Sequence, residues 1–194
     1  IGGLAGDALT DADGNVALGA YALSSDTLGS DSVAIGNNAL LTQNFTSATD
    51  AYNVAVGKNA GLFVTTGIYN TLIGGLAGDA LTDANNNVAV GYQALTSDVE
   101  GGNAVAVGAY ALQSQNVADD VNTYNVAIGS LTGQSITTGI NNVLVGGLAG
   151  DAITDADENT AIGHFSLSAN VLGSKSTCLG HATLSNQNPA SAAD

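Results

Sequence analysis

The pentapeptide Ser32-Val33-Ala34-Ile35-Gly36 recurs with small changes from one end of the chain to the other. Most copies read as a small polar residue, a β-branched residue, Ala, an aliphatic residue and Gly, and two copies have Leu in place of Ala. The copies span residues 15–19, 32–36, 53–57, 70–74, 87–91, 104–108, 125–129, 142–146, 159–163 and 176–180, and a truncated copy, Ile1-Gly2, opens the chain. Self-similarity of this kind is the signature of a repeat protein.

The motif glycines also define a longer period. Their spacings are 17, 17, 21 and 17 residues, and this set of four, which adds up to 72 residues, then repeats. The segment IGGLAGDALTDAD at 1–13 accordingly returns at 73–85 and 145–157 with few changes. We therefore interpret residues 1–194 as a single repeat domain and as a fragment of a longer repeat array.

Each motif is predicted to form a short β-strand. Val and Ile favour extended backbone, and they occupy alternate positions, so both point to one face while the Ala between them points to the other. A unit of 17 residues is too short for a helix-pair repeat, which needs roughly 33 residues. It suits one turn of a coil that rises about 4.8 Å, the spacing of neighbouring strands. The sequence thus predicts an all-β fold, a parallel β-solenoid or β-roll of about eleven coils.

Stacked coils place equivalent residues in columns. We expect the Val and Ile columns of the motif to fill the interior of the coil. Apolar pairs that follow several glycines are expected to form the opposite wall: Ala22-Leu23, Ala39-Leu40, Ala94-Leu95 and Ala111-Leu112. The Asn residues that precede many strands are expected to form a ladder of side-chain amides at that turn.

The Ala column would then face away from these interior columns. Because a surface stripe of small apolar residues commonly marks an interface, we predict that it packs against sister chains, most simply in a trimer. The predicted interface residues are Ala17, Ala34, Ala55, Ala89, Ala106, Ala127 and Ala161. The alternative is a monomeric solenoid in which the same Ala column lines a second interior corner.

The composition excludes several classes of protein. Only two Lys+Arg stand against 17 Asp+Glu, so the net charge is −15. A chain of this charge repels nucleic acid and anionic membranes. Its one cysteine, Cys178, allows no intrachain disulfide. No apolar run approaches the roughly 20 residues that span a bilayer, so we expect no membrane insertion within this segment.

Acidic residues cluster in the connections between motifs. Asp11 and Asp13 lie in one such cluster, Asp83 in its counterpart 72 residues later, and Asp155 and Asp157 in the third. Alternating Asp and Asn oxygens resemble part of a calcium loop, and calcium is the one cofactor that the sequence suggests. The same residues are also common turn formers, so a plain turn is the alternative.

The two 21-residue units contain longer loops and some of the few aromatic residues, Phe45, Tyr52 and Tyr124. A regular protruding loop is a typical place for contacts with a partner, and the alternative is a loop folded over an apolar edge of the rod. Two histidines, His164 and His181, follow consecutive motif glycines and are expected to stack on adjacent coils.

The motif with its following residues, Ser32-Val33-Ala34-Ile35-Gly36-Asn37-Asn38-Ala39, resembles the head repeat of trimeric autotransporter adhesins, and similar repeats occur in phage tail fibres. The resemblance covers nearly the whole chain. It implies a left-handed parallel β-roll, a homotrimer, and attachment to a host surface or matrix ligand. The chain differs from the family in its longer coils, in its four-coil superperiod, and in having no neck, heptad stalk or anchor.

Together, these features predict an extracellular structural protein with an adhesive role. We expect a rod from a cell-surface or virion fibre whose loops contact a surface or partner. The competing hypothesis is a self-assembling extracellular filament without a receptor. Nothing in the sequence suggests an enzyme, because no nucleophile–base pair and no phosphate-binding loop in a strand–helix setting is present.

Overall fold

The computed structural model describes residues 1–118 and 121–189. The chain forms an all-β solenoid in which successive coils stack along one axis, as the sequence predicted. Ten motif strands form one sheet: β1 (Val16–Leu18), β3 (Val33–Ile35), β5 (Val54–Val56), β6 (Thr71–Ile73), β7 (Val88–Val90), β8 (Val105–Val107), β9 (Val126–Ile128), β10 (Val143–Val145), β11 (Thr160–Ile162) and β12 (Thr177–Leu179). A second, two-stranded sheet contains β2 (Gly29–Ser30) and β4 (Thr49–Asp50).

All strand pairs in the large sheet are parallel, and each motif lies directly over the next. Val88 pairs with Val105 and Ala89 with Ala106, for example, and the same register holds along the sheet. A 17- or 21-residue spacing between the glycines therefore corresponds to one coil of the solenoid. The prediction that equivalent residues form columns is confirmed.

The motif glycine ends each strand in a conformation that other residues rarely adopt. Gly74 has a φ of 133° and Gly91 a φ of 141°. A Cβ built on Gly74 would lie 2.4 Å from the carbonyl oxygen of Gly91 in the next coil, well inside van der Waals contact. Glycine is thus required both by the local backbone angle and by the close stacking of the coils.

Other corners of the coil also have left-handed backbone, and at these corners the residues are mostly not glycine. The second residue after each motif glycine has a φ near +60°, as in Leu76 and Tyr110, and so does the fifth residue before it, as in Tyr69 and Asn103. Isolated non-glycine residues in this region cost of order 1–3 kcal/mol each. The stacking of the coils must offset this cost at every turn.

The core is a narrow column of small and branched apolar side chains. The Ala residues of the motif lie on one wall, and they face the predicted Ala-Leu pairs on the other wall, including Ala94 and Leu95, which are fully buried. The expected opposite wall is confirmed for all four pairs. Because most core positions hold Ala, the two walls of the coil lie close together.

The Asn residues that precede the strands form the predicted ladder, and its links run mostly from side chain to backbone. The Asn70 Oδ1 accepts a hydrogen bond from the Asn87 backbone N–H of the next coil at 3.0 Å, and the Asn70 Nδ2 donates to the Ala84 carbonyl at 2.8 Å. The side chain is fully buried. Asn53, Asn87, Asn125 and Asn142 make the equivalent pair of bonds. Each buried amide thus satisfies two backbone groups and joins two coils.

Candidate interaction face

The large sheet presents the first and third residue of every strand to the outside of the coil. Leu18 is 43% exposed, Ile73 38% and Ile128 41%, whereas the central Ala34 and Ala89 are fully buried. This is the reverse of the orientation predicted from the sequence. The Val and Ile columns lie on the outer surface and the Ala column lines the interior.

The predicted Ala interface is therefore wrong. Ala17 is half-buried against the core, and the other members of the set are fully buried: Ala34, Ala55, Ala89, Ala106, Ala127 and Ala161. The physical reason is the narrow core, in which most strands place Ala and the larger Leu72 and Leu144 are accommodated only beside glycines. The alternative in which the alanines line an interior wall agrees with the structure.

We call the outward residues of the ten strands the outer face. It combines the first-residue column Val16, Val33, Val54, Thr71, Val88, Val105, Val126, Val143, Thr160 and Thr177 with the third-residue column Leu18, Ile35, Val56, Ile73, Val90, Val107, Ile128, Val145, Ile162 and Leu179. Ten strands extend about 45 Å along the axis, and two side-chain columns are roughly 10 Å across. The outer face is thus a mostly apolar strip of roughly 450 Å², the size of the largest apolar patch on a typical monomer, and such patches are often functional.

The outer face carries no charged residue, although the chain has 17 carboxylates. Among the described charged residues, the nearest in the sequence are Asp31, Glu158 and Lys175, each two residues before a strand, and Lys58, two residues after one. The remaining described acidic residues lie in other parts of each coil or in its interior. The charge is therefore segregated, with an uncharged apolar strip on a strongly acidic rod.

Exposed aromatic side chains flank the strip. On the side where the chain enters the strands, the Tyr52 and Tyr69 rings stack with their centroids 5.9 Å apart. On the side where the chain leaves the strands, the Tyr92 and Tyr110 rings meet edge-to-face with their centroids 5.5 Å apart. The charges of Asp31 and Asp50 raise the pKa of the exposed Tyr52 hydroxyl. Tyrosine is enriched at interfaces because its ring is apolar and its hydroxyl is polar, so the flanks extend the apolar surface.

The three predicted loop contacts have different surroundings. Tyr52 and Tyr124 are 50% and 55% exposed and thus accessible to a partner. Phe45 is only 6% exposed, so its prediction as a contact residue is wrong. A Cβ on Gly29 would lie 2.7 Å from the Phe45 ring, which shows that the ring fills a gap against the coil. At Phe45 the loop covers the rod, as in the alternative interpretation.

Two buried polar networks tie the 21-residue coils to the coils before them. The Gln43 Nε2 donates to Asp26 at 2.6 Å, and 72 residues later the Gln115 Nε2 donates to Asp98 at 2.5 Å. Both carboxylates are fully buried, and burial raises the pKa of Asp98. The sequence analysis missed these networks, although the 72-residue spacing of two Asp and two Gln residues was visible.

His164 and His181 stack as predicted, with ring centroids 5.4 Å apart. Both lie beside the end of a motif strand, and the His164 ring also meets Phe165 at 4.1 Å. Cys178 occupies the Ala position of its motif and is buried in the core. The histidines therefore belong to the aromatic flank, and the thiol is part of the packed interior.

The structure does not gather the five suggested calcium residues at one site. Those that are 72 residues apart, Asp11, Asp83 and Asp155, lie four coils apart, or about 19 Å along the axis. The Thr82 hydroxyl donates to Asp83 at 3.0 Å, and the Ile140 N–H donates to Asp157 at 2.7 Å. In residues 1–118 and 121–189, no group of three or more His, Cys, Asp or Glu side chains is placed to hold a metal ion.

A signal in the sequence could have identified the outer face. Thr71, Thr160 and Thr177 occupy the first-residue column, and hydroxyl groups are tolerated more easily on a surface than in an apolar core. The column of central residues, by contrast, has no hydroxyl group and holds Ala at seven of its ten positions, with Leu72, Leu144 and Cys178 at the others. Tolerated hydroxyl groups mark the outside, and a prevalence of Ala marks the inside.

Comparisons of the chain with protein-family models, with curated proteins and with solved structures return no match. The part of the chain that the structure describes contains no helix long and apolar enough to cross a membrane.

Proposed function

We propose that this protein is a structural rod of an extracellular or virion fibre in which copies of the chain associate through the outer face. The observation that carries the proposal is the uncharged, mostly apolar strip along one side of an acidic solenoid. The proposal assigns no catalytic role to the chain.

The size of the strip supports association. Stable interfaces bury roughly 800 Å² per partner; the outer face supplies roughly 450 Å² of apolar surface, and the exposed tyrosines beside it add to that area. A second copy of the chain suits it chemically, because two acidic rods can meet there without placing carboxylates against each other. A regular strip also allows contacts to repeat at each coil, so that small contributions add along the rod.

The adhesive part of the proposal rests on the loops of the 21-residue coils. They recur every 72 residues, and each carries an exposed tyrosine, Tyr52 or Tyr124. A rod that repeats the same surface feature at regular intervals suits multivalent binding, in which weak contacts combine. A host surface or matrix component is the proposed ligand.

The test of association is a charge placed on the outer face. The double variant Val88→Glu/Val105→Glu puts two carboxylates in the middle of the strip, whereas Thr66→Glu/Ser97→Glu adds the same charge at exposed positions outside it. We expect light scattering to give a multiple of 19.0 kDa for the parent and the control. The outer-face variant should run as a single chain with an unchanged strand signal in circular dichroism. A parent that stays a folded single chain at all concentrations would refute the proposal.

The second candidate is a filament without a receptor. The strand register is the same at every coil junction of the large sheet, and strand pairing of this kind can continue from one chain to another. Electron microscopy of the purified protein distinguishes the two functions. Rods of defined length that bind cells or matrix favour the fibre, and rods joined end to end without such binding favour the filament.

A further inference from the structure

The interior of the solenoid contains two kinds of coil. They differ at the fourth and seventh residues after the motif glycine. In leucine coils the fourth residue is Leu and the seventh is Asp, Gln or Asn; these are the pairs Leu23/Asp26, Leu40/Gln43, Leu95/Asp98, Leu112/Gln115, Leu167/Asn170 and Leu184/Gln187. In glycine coils the fourth residue is Gly and the seventh is aliphatic; these are the pairs Gly6/Leu9, Gly61/Val64, Gly78/Leu81, Gly133/Ile136 and Gly150/Ile153.

The two residues of a pair compete for the same interior space. A Cβ on Gly78 would lie 2.9 Å from the Leu81 side chain, and a Cβ on Gly150 would lie 2.8 Å from the Ile153 side chain. A leucine at the fourth position would therefore overlap the aliphatic side chain at the seventh unless that side chain moved, and no coil of the chain combines the two. All eleven coils follow the rule, so it is a property of the core rather than a local accident.

A second rule couples each glycine coil to its neighbour. A Cβ on Gly61 and one on Gly78 would lie 2.8 and 2.7 Å from the two methyl groups of Leu72. Leu72 thus fills the space that two successive glycine coils leave, and it stands where most strands have Ala. Leu144 fills the equivalent space beside Gly133 and Gly150. Leucine in the motif is possible only between two glycine coils.

A third rule couples the two leucine coils of the first and second blocks. The buried Asp98 of one leucine coil accepts a hydrogen bond from the Gln115 side-chain amide of the next coil. The Gln115 Oε1 in turn accepts a hydrogen bond from the Asn125 side-chain amide at 2.9 Å. Asp26, Gln43 and Asn53 repeat the arrangement. Because an unpaired buried amide or carboxylate is costly, the two coils of such a pair depend on each other.

We propose that the 72-residue block of two leucine coils and two glycine coils is the indivisible unit of this rod, and that the surface at each end of a block accepts only another copy of the block in phase. The core couplings are complete within a block and across a block junction. They are broken by the loss of any one of the eight coils that begin at the motif glycines from Gly19 to Gly146, since each of these coils is a partner in a Leu-filled glycine pair or in an Asp–Gln pair. The length of the rod would then vary in steps of four coils, about 19 Å. This inference does not depend on the proposed fibre function.

The test compares deletions of different length. Removal of residues 74–145 takes out one block and joins Ile73 to Gly146, which places Leu72 between Gly61 and Gly150. Removal of residues 58–74 takes out one coil and leaves Gly78 facing Ala55 instead of Leu72. Removal of residues 92–108 also takes out one coil and leaves Gln115 without Asp98. The one-coil deletions keep more of the sheet than the block deletion does. If sheet length determined stability, the one-coil deletions would be the more stable. If the matching of core residues determines it, the block deletion is the more stable.

We expect the block deletion to retain a cooperative thermal transition close to that of the parent. Each one-coil deletion should melt lower by roughly 5–10 °C, from a cavity or an unpaired buried group. Duplication of residues 74–145 should also fold, and small-angle scattering should show a rod longer by about 19 Å. The proposal is overturned when either one-coil deletion melts at or above the block deletion, or when the block deletion fails to fold. These readouts report on packing within one chain, so they are independent of receptor binding.

Discussion

The motif glycines show how a single residue type permits the coils to stack. At Gly91 the φ of 141° and the 2.5 Å approach of a built Cβ to the Gly108 carbonyl oxygen exclude any side chain. Gly75, one residue after a motif glycine, lacks both restrictions: its φ is not positive, and a Cβ there would make only ordinary contacts, the nearest with the Tyr92 ring at 3.5 Å. The chain therefore contains its own control for the requirement.

We predict that Gly91→Ala destabilises the protein by more than about 2 kcal/mol, because it adds backbone strain to a clash with the next coil. Gly75→Ala should change the stability by less than about 1 kcal/mol. Denaturant unfolding followed by circular dichroism measures both. Equal effects of the two substitutions would show that the close stacking at Gly91 is not limiting.

Buried carboxyl groups give a prediction about pH. Burial raises the pKa of Asp98, and that of the less buried Asp79 and Asp151, above the ordinary value. Between the unfolded value of about 3.9 and these raised values, the folded chain binds more protons than the unfolded chain. The free energy of unfolding should therefore rise as the pH falls from 7 toward about 4.

Urea unfolding at a series of pH values measures this slope, and Asp98→Asn removes one contributor. We expect the slope for this variant to be shallower than for the parent. Asn170 occupies the equivalent place in the third block and bonds to Gly173 through both side-chain atoms, which indicates that an amide can be accommodated there. A parent that loses stability steadily over this pH range would contradict the prediction.

At the scale of the strand and its turn, the Asn ladder links neighbouring coils. We predict that Asn70→Ala costs about 2–4 kcal/mol, because it leaves the Asn87 N–H and the Ala84 carbonyl buried without partners. Thr66→Ala, at an exposed position nearby, should have little effect. Thermal unfolding of the two variants at equal concentration tests the ladder.

The strands also show what could and could not be predicted. The columns, the parallel register, the Ala-Leu wall and the Asn ladder follow from the 17-residue spacing and from strand geometry. The choice between inside and outside does not, because both sides of Val88-Ala89-Val90 are apolar and alternation alone assigns neither. The narrow core settles it, since most of its buried side chains are Ala, and that narrowness is a property of the whole coil and not of one strand.

The buried Asp26 and Asp98 were beyond the sequence argument for a related reason. Acidic residues are almost always exposed, so their place in a wall position was not expected. Their burial is stabilised by partners 17 residues away, Gln43 and Gln115. Their burial could have been predicted only by noticing that each Asp lies in an interior column and has a Gln 17 residues later in the same column.

For the whole molecule, the dominant electrostatic feature is self-repulsion. With a net charge of −15 spread over a narrow rod, added salt should raise the melting temperature, since the screening length falls from about 30 Å at 0.01 M to about 3 Å at 1 M. We expect EDTA to leave the melting temperature unchanged at fixed ionic strength. A fall with EDTA would instead support calcium at the Asp11–Asp13 turn and its counterparts.

The hydrogen bonds of the large sheet run parallel to the long axis of the molecule, since each strand pairs with the strand of the next coil. A pull on the two ends therefore opens coils one at a time, starting from an edge. Each opened coil of 17 residues releases roughly 55 Å of extended chain, more than ten times its own height. Under tension such a molecule yields in many small steps instead of breaking at once, and it can absorb mechanical work while its remaining coils stay folded.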